Sequence, residues 1–332
     1  MTHRRIGLAD IEPDHPAHRA HQAALRSIDR VVHDDARPQG EHLARPGVLG
    51  VLRQSPLIIT GAGVSTDSGI PDYRGPQGSL RRHRPMTYQE FRFDAAARQR
   101  YWARSYVGWR QMVAAAPNDT HRILAEWNAC GLISGIVTQN VDGLHAQAAR
   151  EVASASQISH EHDPAALVAL HGDLDRVICL NCGAMESRHG LDARLDEVNP
   201  GYIDAALSDR LDVNPDGDVT LPDELIGDFQ MVACLNCGSF LLKPDVVYFG
   251  ESVPPERRRH ASELLDDAGG LLVIGSSLAV MSGYRFVLDA QRAGKPVALI
   301  NAGPTRADAK AEYRWRARVA PAVTWLHRQL ET

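Results

Sequence analysis

Beyond residue 40 the chain alternates between short apolar runs and longer stretches in which apolar residues recur every three or four positions. The runs at 57–60, 133–138, 167–170, 271–274 and 297–300 are rich in β-branched and aliphatic residues, the pattern of strands buried on both faces of a parallel sheet. Helical spacing over 121–130 and 257–267 puts helices between them, so the predicted fold is α/β, a Rossmann-like open parallel sheet. Residues 1–40 are different, rich in His, Asp, Arg and Ala, and read as an extension with one helix near 18–32. No internal repeat or low-complexity tract interrupts the pattern.

Composition narrows the function classes. With 44% hydrophobic and 23% charged residues in 332, the chain can bury a large core. A formal net charge of -5 argues against nucleic acid or acidic membranes as partners. No run approaches the roughly 20 apolar residues of a membrane helix. Arg4 and Arg5 precede Asp10, Glu12, Asp14, Asp34 and Asp35, which break any basic transit helix, so a cytoplasmic location is expected.

The candidate chemistry lies where strands end. The five runs lead into Gly61-Ala62-Gly63, Gln139-Asn140-Val141-Asp142, His171-Gly172, Gly275-Ser276-Ser277 and Asn301-Ala302-Gly303. Small and polar residues at the carboxyl ends of parallel strands outline a nucleotide site. Turn formation alone accounts for any one of these endings, but poorly for five. A dehydrogenase fingerprint fails, because Thr66 stands where its third glycine belongs, and no Gly-Lys-Ser/Thr makes a P-loop.

Two matching pairs, Cys179-Leu-Asn-Cys182 and Cys234-Leu-Asn-Cys237, are each followed by glycine, as in zinc knuckles. Residues 183–233 separate the pairs, more than the usual span of about 15–20, and disulfides are the competing reading. Four thiolates suit a closed, structural Zn²⁺ site. Cys130, in an apolar helical run, reads as a small buried core residue. His160 and His162 read as solvated loop residues, and the basic clusters 81–84 and 257–260 as solvated helix faces.

The ordered set Gly61-Ala62-Gly63-Val64-Ser65, the stretch 69–75 (GIPDYRG), the stretch 138–145 (TQNVDGLH), Leu170-His171-Gly172, the two cysteine pairs, the stretch 243–251 (KPDVVYFGE) and Gly275-Ser276-Ser277-Leu278 resembles the sirtuin family over about residues 46–325. The stretches 98–104, 215–219, 282–286 and 303–306 resemble its class II members, a group with a mitochondrial branch and bacterial relatives and with a long insert between the cysteine pairs.

That resemblance implies an NAD-dependent protein lysine deacylase. The acyl-lysine carbonyl oxygen displaces nicotinamide from the ribose, and the acyl group leaves on ADP-ribose. NAD is then a consumed co-substrate, one Zn²⁺ is structural, and acyl-lysine proteins or peptides are the partners. In this reading Gly61, Ala62 and the helix start after Gly63 cradle the phosphates, and Arg74 caps them from a mobile lid over Thr66–Gly75. Ile70 and Asp72 border the nicotinamide pocket, and Tyr73 shields the ribose. Asp142 and the Val141 backbone hold the carboxamide, and Gln139 and Asn140 hold the ribose and an ordered water, with Asn140 joining the catalytic set. Ser276, Ser277 and Asn301 contact the adenosine side after Gly275. His171 is the general base.

On the substrate side, the peptide pairs between the loop after Phe249-Gly250-Glu251 and the one after Gly275, and Val246 and Val247 line the acyl-lysine tunnel. Tyr101 and Arg104, at i and i+3 on one helix face, resemble the pair that takes carboxylated acyl groups in some relatives. The alternative for that pair is ordinary helix packing. The expected organisation is an extension at 1–40, a nucleotide domain at 41–75, 116–172 and 244–325, a helical insertion at 76–115 and a smaller zinc-binding module at 173–243. Two rival activities share the NAD site: ADP-ribose transfer to a protein, and NAD or ADP-ribose sensing without catalysis.

Overall fold

Leu57–Thr60 is buried at all four positions, as an apolar run flanked by parallel partners should be. The structure, a computed structural model, describes residues 14–34, 36, 39–76, 78–81, 83–156, 166–206 and 214–330. Arg4, Arg5, Asp10, Glu12, Asp35, Arg82, His160 and His162 lie outside the described residues. In chain order the elements are α1 (Pro16–Ile28), α2 (Glu41–Leu52), β1 (Leu57–Thr60), α3 (Tyr88–Phe93), α4 (Ala95–Ala114), α5 (Asp119–Ala129), β2 (Gly135–Thr138), α6 (Leu144–Ser156), β3 (Leu167–Ala169), β4 (Gly172–Cys179), β5 (Met185–Ser187), α7 (Arg188–Val198), α8 (Tyr202–Ala206), α9 (Asp223–Asp228), β6 (Leu242–Val246), α10 (Pro255–Asp267), β7 (Leu271–Ile274), α11 (Met281–Arg292), β8 (Val297–Asn301), β9 (Tyr313–Arg316) and α12 (Val319–Arg328).

The chain divides into two compact units. The larger, made of Arg30–Gly78, Ala115–His171 and Val253–Thr332, holds a six-stranded parallel sheet in the order β3-β2-β1-β7-β8-β9. Strand alternation sends Leu57, Ile59, Val137, Val273 and Leu299 to one face, where they pack with residues of α10 and α11. Ile58, Ile136, Leu272, Ile274 and Ile300 go to the other face, with residues of α2, α5 and α12. The strand β9 was not among the expected runs, because Tyr-Arg-Trp-Arg alternates apolar and charged positions, a pattern suited to a sheet edge.

The smaller unit comprises the described residues of Met1–Asp29, Ser79–Ala114 and Gly172–Ser252. Its three-stranded antiparallel sheet, β5-β4-β6, carries the helices α1, α3, α4 and α7 to α9. The indole N–H of Trp102 donates to Leu242 O at 2.9 Å, tying α4 to β6. Arg188, fully buried, donates to Ser105 and lies over the Trp102 and Trp109 rings at 5.0 and 5.1 Å. Desolvation of its charge is thus offset by cation–π and hydrogen-bond contacts.

Several expected boundaries shift for local reasons. The 121–130 helix is Asp119–Ala129, because the Asn118 side chain accepts from Thr120 N and His121 N and starts the helix there. The 18–32 helix is Pro16–Ile28, begun by the His15 ring accepting from Ala17 N. Cys130 is exposed, contrary to the buried position expected: α5 stops one residue earlier, and Cys130 turns outward ahead of left-handed Gly131. The 81–84 cluster is no helix face either. Ser79–Arg81 is a 3₁₀ turn, Arg84 pairs with Glu90 through both carboxylate oxygens, and His83 turns inward.

Candidate active site

Strands β1, β2, β3, β7 and β8 end on one edge of the six-stranded sheet, and the strand order reverses between β1 and β7. Such a switch point is where open α/β sheets take ligands. The glycines there serve close approach. A Cβ on Gly63 would sit 2.8 Å from Gly275 O, and one on Gly275 (φ +65°) 2.8 Å from Val64 N, so the two loops touch through backbone alone. In this packing Gly61 N donates to Ile274 O and Gly63 N to Gly275 O. The expected helix start after Gly63 is instead two 3₁₀ turns, Ala62–Val64 and Thr66–Ser68, because left-handed Gly69 ends the second.

A network knits the loops together. Gln139 Nε2 donates to Thr60 O (3.1 Å) and Ser276 Oγ (2.7 Å), joining β1, β2 and β7. Asn140 Nδ2 donates to Gly61 O (3.2 Å) and Ser65 Oγ (3.0 Å). Ser65 Oγ in turn donates to Asp142 Oδ2 at 2.7 Å, while Asp142 Oδ1 accepts from Leu144 N and caps α6. Ser65 is fully buried and central, a role that sequence reading missed; its position inside Gly61-Ala62-Gly63-Val64-Ser65 was the available signal.

Within the loop after β1, Ile70 is buried and its N–H donates to Ser65 O. Asp72 Oδ1 accepts from Gly75 N at 2.7 Å, closing the turn that carries Tyr73 and Arg74. Burial pushes the Arg74 guanidinium below its usual value, with Tyr73 opposing and Arg30 adding to the drop. An anion brought beside Arg74 would relieve that desolvation. Ser276 is buried, Ser277 and Val141 are half-buried, and Asn301 Nδ2 donates to Gly303 O at 2.8 Å at the end of β8.

His171 follows β3. Its Nδ1 lies 2.9 Å from Gln139 O, a carbonyl that can only accept, so Nδ1 carries the proton. Nε2 then presents its lone pair and accepts from Ser282 Oγ at 2.8 Å. Burial pushes the imidazole down to about 4, the Gln139 contact opposing and Arg257 adding to the drop, so it is a neutral base at neutral pH. Ser282, in the first turn of α11, had no assigned role from sequence.

Two further histidines lie beneath this edge. The His121 and His145 rings are buried, edge to face at 4.8 Å, and His145 Nε2 lies 2.9 Å from Thr60 Oγ1. Burial pushes His121 down to about 4 and His145 well below its ordinary 6.5. Below pH 6.5 the unfolded chain takes up protons that the fold refuses. Their stabilisation is therefore complete above that pH and is lost as pH falls toward 4. Unfolding free energy is expected to drop by about 1.4 kcal/mol per pH unit per imidazole in that window. Urea titrations at pH 7 and 5 check this, and His121→Asn should flatten the slope.

In the smaller unit, Cys179 and Cys237 sulfurs lie 3.7 Å apart, Cys182 and Cys234 3.8 Å, and all four lie within 4.8 Å. A tetrahedron with Zn–S bonds of about 2.3 Å has edges of about 3.8 Å, so the set fits Zn²⁺. Gly183 and Gly238, both left-handed, turn the knuckles, and the Asn181 and Asn236 amides donate to Cys237 and Cys182 sulfurs at 3.5 Å.

The same unit places the expected substrate residues. Val246 ends β6 and is buried, Val247 and Phe249 are half-buried, and Gly250 is exposed. Beneath them Lys243, also buried, donates to Pro244 O (3.1 Å) and Val246 O (2.5 Å) and pairs with Glu251 at 3.2 Å. Tyr101 and Arg104 share α4, but Tyr101 is buried against Phe91, Trp102 and Tyr248, and burial pushes its hydroxyl up to about 12. Arg104 Nε donates to Val219 O and lies 3.6 Å from Asp218, and its Nη2 donates to His83 Nδ1 at 2.9 Å. Since His83 Nδ1 accepts, its Nε2 carries the proton toward Asp218 at 3.4 Å and offers no lone pair to a metal.

A sequence profile of the Sir2 family matches residues 61–282. The chain belongs to the Sir2 family. It is 59% identical over 283 residues to an NAD-dependent protein deacetylase of Corynebacterium efficiens, covering 85% of this chain and 96% of the relative. It is 42% identical over 255 residues to the human NAD-dependent protein lipoamidase sirtuin-4, mitochondrial, covering 76% and 75%. Among solved Sir2 structures, a mutant homologue in complex with ADP-ribose matches at 25% identity with a TM-score of 0.63, covering 88% of this chain and 97% of the other. A Sir2–p53 peptide–NAD⁺ structure matches at 26% with a TM-score of 0.57, covering 85% and 95%. No helix of the described residues is long and apolar enough to cross a membrane.

Proposed function

We propose that this protein is an NAD-dependent protein lysine deacylase. The observation that carries the reading is His171: its Nδ1–H is held by Gln139 O, so a basic Nε2 is presented on the edge where five strand ends meet. The relatives' names, deacetylase and lipoamidase, and the NAD and peptide bound in solved Sir2 structures support it.

The residue roles are those the family resemblance implies, and the strand-end arrangement of the larger unit supports them. Gly61 and Gly63 let the loop after β1 pack closely on Gly275 and Ser276; by resemblance this loop, with Ala62 and Thr66, cradles the diphosphate, and Arg74 neutralises it. Asn140, fixed by Gly61 O and Ser65, addresses the ribose with Gln139. Asp142 and Val141, with Ile70 and Asp72, receive nicotinamide; Tyr73 covers the ribose; Ser276, Ser277 and Asn301 take the adenosine side. NAD, when bound, would supply the nicotinamide–ribose bond, which breaks with loss of nicotinamide as the acyl oxygen bonds to the ribose carbon. His171 Nε2 then takes a ribose hydroxyl proton in place of the Ser282 contact, and that oxygen can accept the acyl group.

Val246, Val247, Phe249 and Gly250 are the residues that the resemblance assigns to the acyl-lysine. A peptide carrying acetyl-lysine, incubated with NAD, should yield nicotinamide and acyl-ADP-ribose in equal amounts. ADP-ribose on protein instead, or nicotinamide retention, overturns the reading in favour of a transferase or a sensor. A carboxylated acyl group is the expected cargo of Tyr101 and Arg104, yet Asp218 already faces that guanidinium. Asp218→Asn is therefore expected to raise kcat/KM for glutaryl-lysine relative to acetyl-lysine by about 5- to 30-fold, an effect the size of a partly buried charge contact, measured with paired peptides.

A further inference from the structure

Residues 14–28 lie outside the span matched by the Sir2 family profile, yet α1 is built into the smaller unit. Its residues Ala17, Ala24 and Ile28 recur at helical spacing and are buried, while Arg19, Gln22, Ala23 and Arg26 on the opposite side are exposed. The His15 ring meets Phe93 edge-on at 5.8 Å. We propose that α1 is a positioning element for the peptide-binding segment at Phe249 and Gly250, a role that rests on the deacylase reading above.

The contacts form a short chain. Thr87 Oγ1 donates to Glu90 Oε2 (3.0 Å) and accepts from Glu90 N, capping α3. With its proton committed to Glu90, that hydroxyl can only accept from His21, whose Nδ1 lies 2.9 Å away. Thr87 also pairs in parallel with Phe249, Tyr88 N donates to Phe249 O at 2.9 Å, and Gln89 Nε2 donates to Gly250 O at 3.0 Å. The helix reaches Gly250 directly as well. A Cβ on Gly250 would lie 2.9 Å from the Ala24 methyl and 2.5 Å from Gln89 Oε1, so the left-handed glycine at φ +83° fits between them.

On its other side the segment is held by Glu251, which accepts from Tyr248 N at 2.9 Å and pairs with buried Lys243. One flank of Phe249–Gly250 is thus fixed by the unit's own interior and the other by α3 backed by α1. Loosening α1 frees the second flank. The consequence falls on peptide affinity, since His171 and the NAD-facing residues belong to the larger unit.

The test uses the full-length protein with His21→Ala, His21→Gln and Ala24→Glu. His21→Ala is expected to raise KM for an acetyl-lysine peptide about 3- to 10-fold, the worth of one hydrogen bond, with KM for NAD and kcat within about twofold. Ala24→Glu, which forces a charge into the packed face, should raise peptide KM at least as much, and His21→Gln, which can still donate to Thr87, should restore it. Peptide KM unchanged in both disruptive variants overturns the proposal. So does a parallel loss of all parameters that follows the fraction of folded protein. If the unaltered chain releases no nicotinamide, the deacylase reading fails, and fluorescence anisotropy of the labelled peptide still decides the role of α1.

Discussion

Replacing His171 with alanine is expected to lower acetyl-lysine deacylation by about 10²- to 10⁴-fold, the range of a positioned general base. The variant should still fold, because His171 stands at a strand end outside both hydrophobic cores and is tied only to Gln139 O and Ser282. Nicotinamide formation and acyl-ADP-ribose formation, followed together by chromatography, will separate a lost base from lost NAD binding. Because burial pushes this imidazole down to about 4, the acid limb of kcat/KM in the native enzyme should lie below the ordinary histidine value. An acid limb centred at or above 6.5 would contradict the desolvated setting described above.

Removing the metal from the cysteine cluster is the second large effect. Structural zinc in small modules supplies about 10–16 kcal/mol of apparent binding energy, as much as the whole stability of a typical domain at about 5–15 kcal/mol. The thiolates join the turn after β4 to the 234–237 turn just before β6, so losing the metal frees the end of the β4–β6 pair where Cys179 lies opposite Leu242. Cys179→Ser with Cys234→Ser, or a strong chelator, should release bound zinc, measured by a chromogenic indicator. The smaller unit should lose hydrogen-exchange protection around Trp102 and Leu242, while the larger unit, with its cores on both faces of its own sheet, keeps its slow-exchanging strands. Uniform retention of protection in the smaller unit would show the cluster to be dispensable for folding.

The parallel strands were readable because a strand buried on both faces must be apolar at every position, and β1 and β7 match the expected runs residue for residue. β9 escaped notice because an edge strand carries charge on alternate positions. Cys130 was misplaced because its burial depends on where α5 stops, and left-handed Gly131, with Leu132 N donating back to Trp127 O, ends the helix at Ala129.

Residue identities alone determined the family and the histidine at the end of β3, since each needs only local motifs and their order along the chain, whereas the gathering of four unbonded cysteine sulfurs into one set was decided by the fold. The tertiary structure alone decided which tautomer His171 adopts, that Asp218 and His83 already face Arg104, and that α1 backs the Phe249–Gly250 segment. Those outcomes depend on atoms distant in sequence meeting within hydrogen-bond range, and no spacing along a chain encodes that distance until the strands and helices have packed.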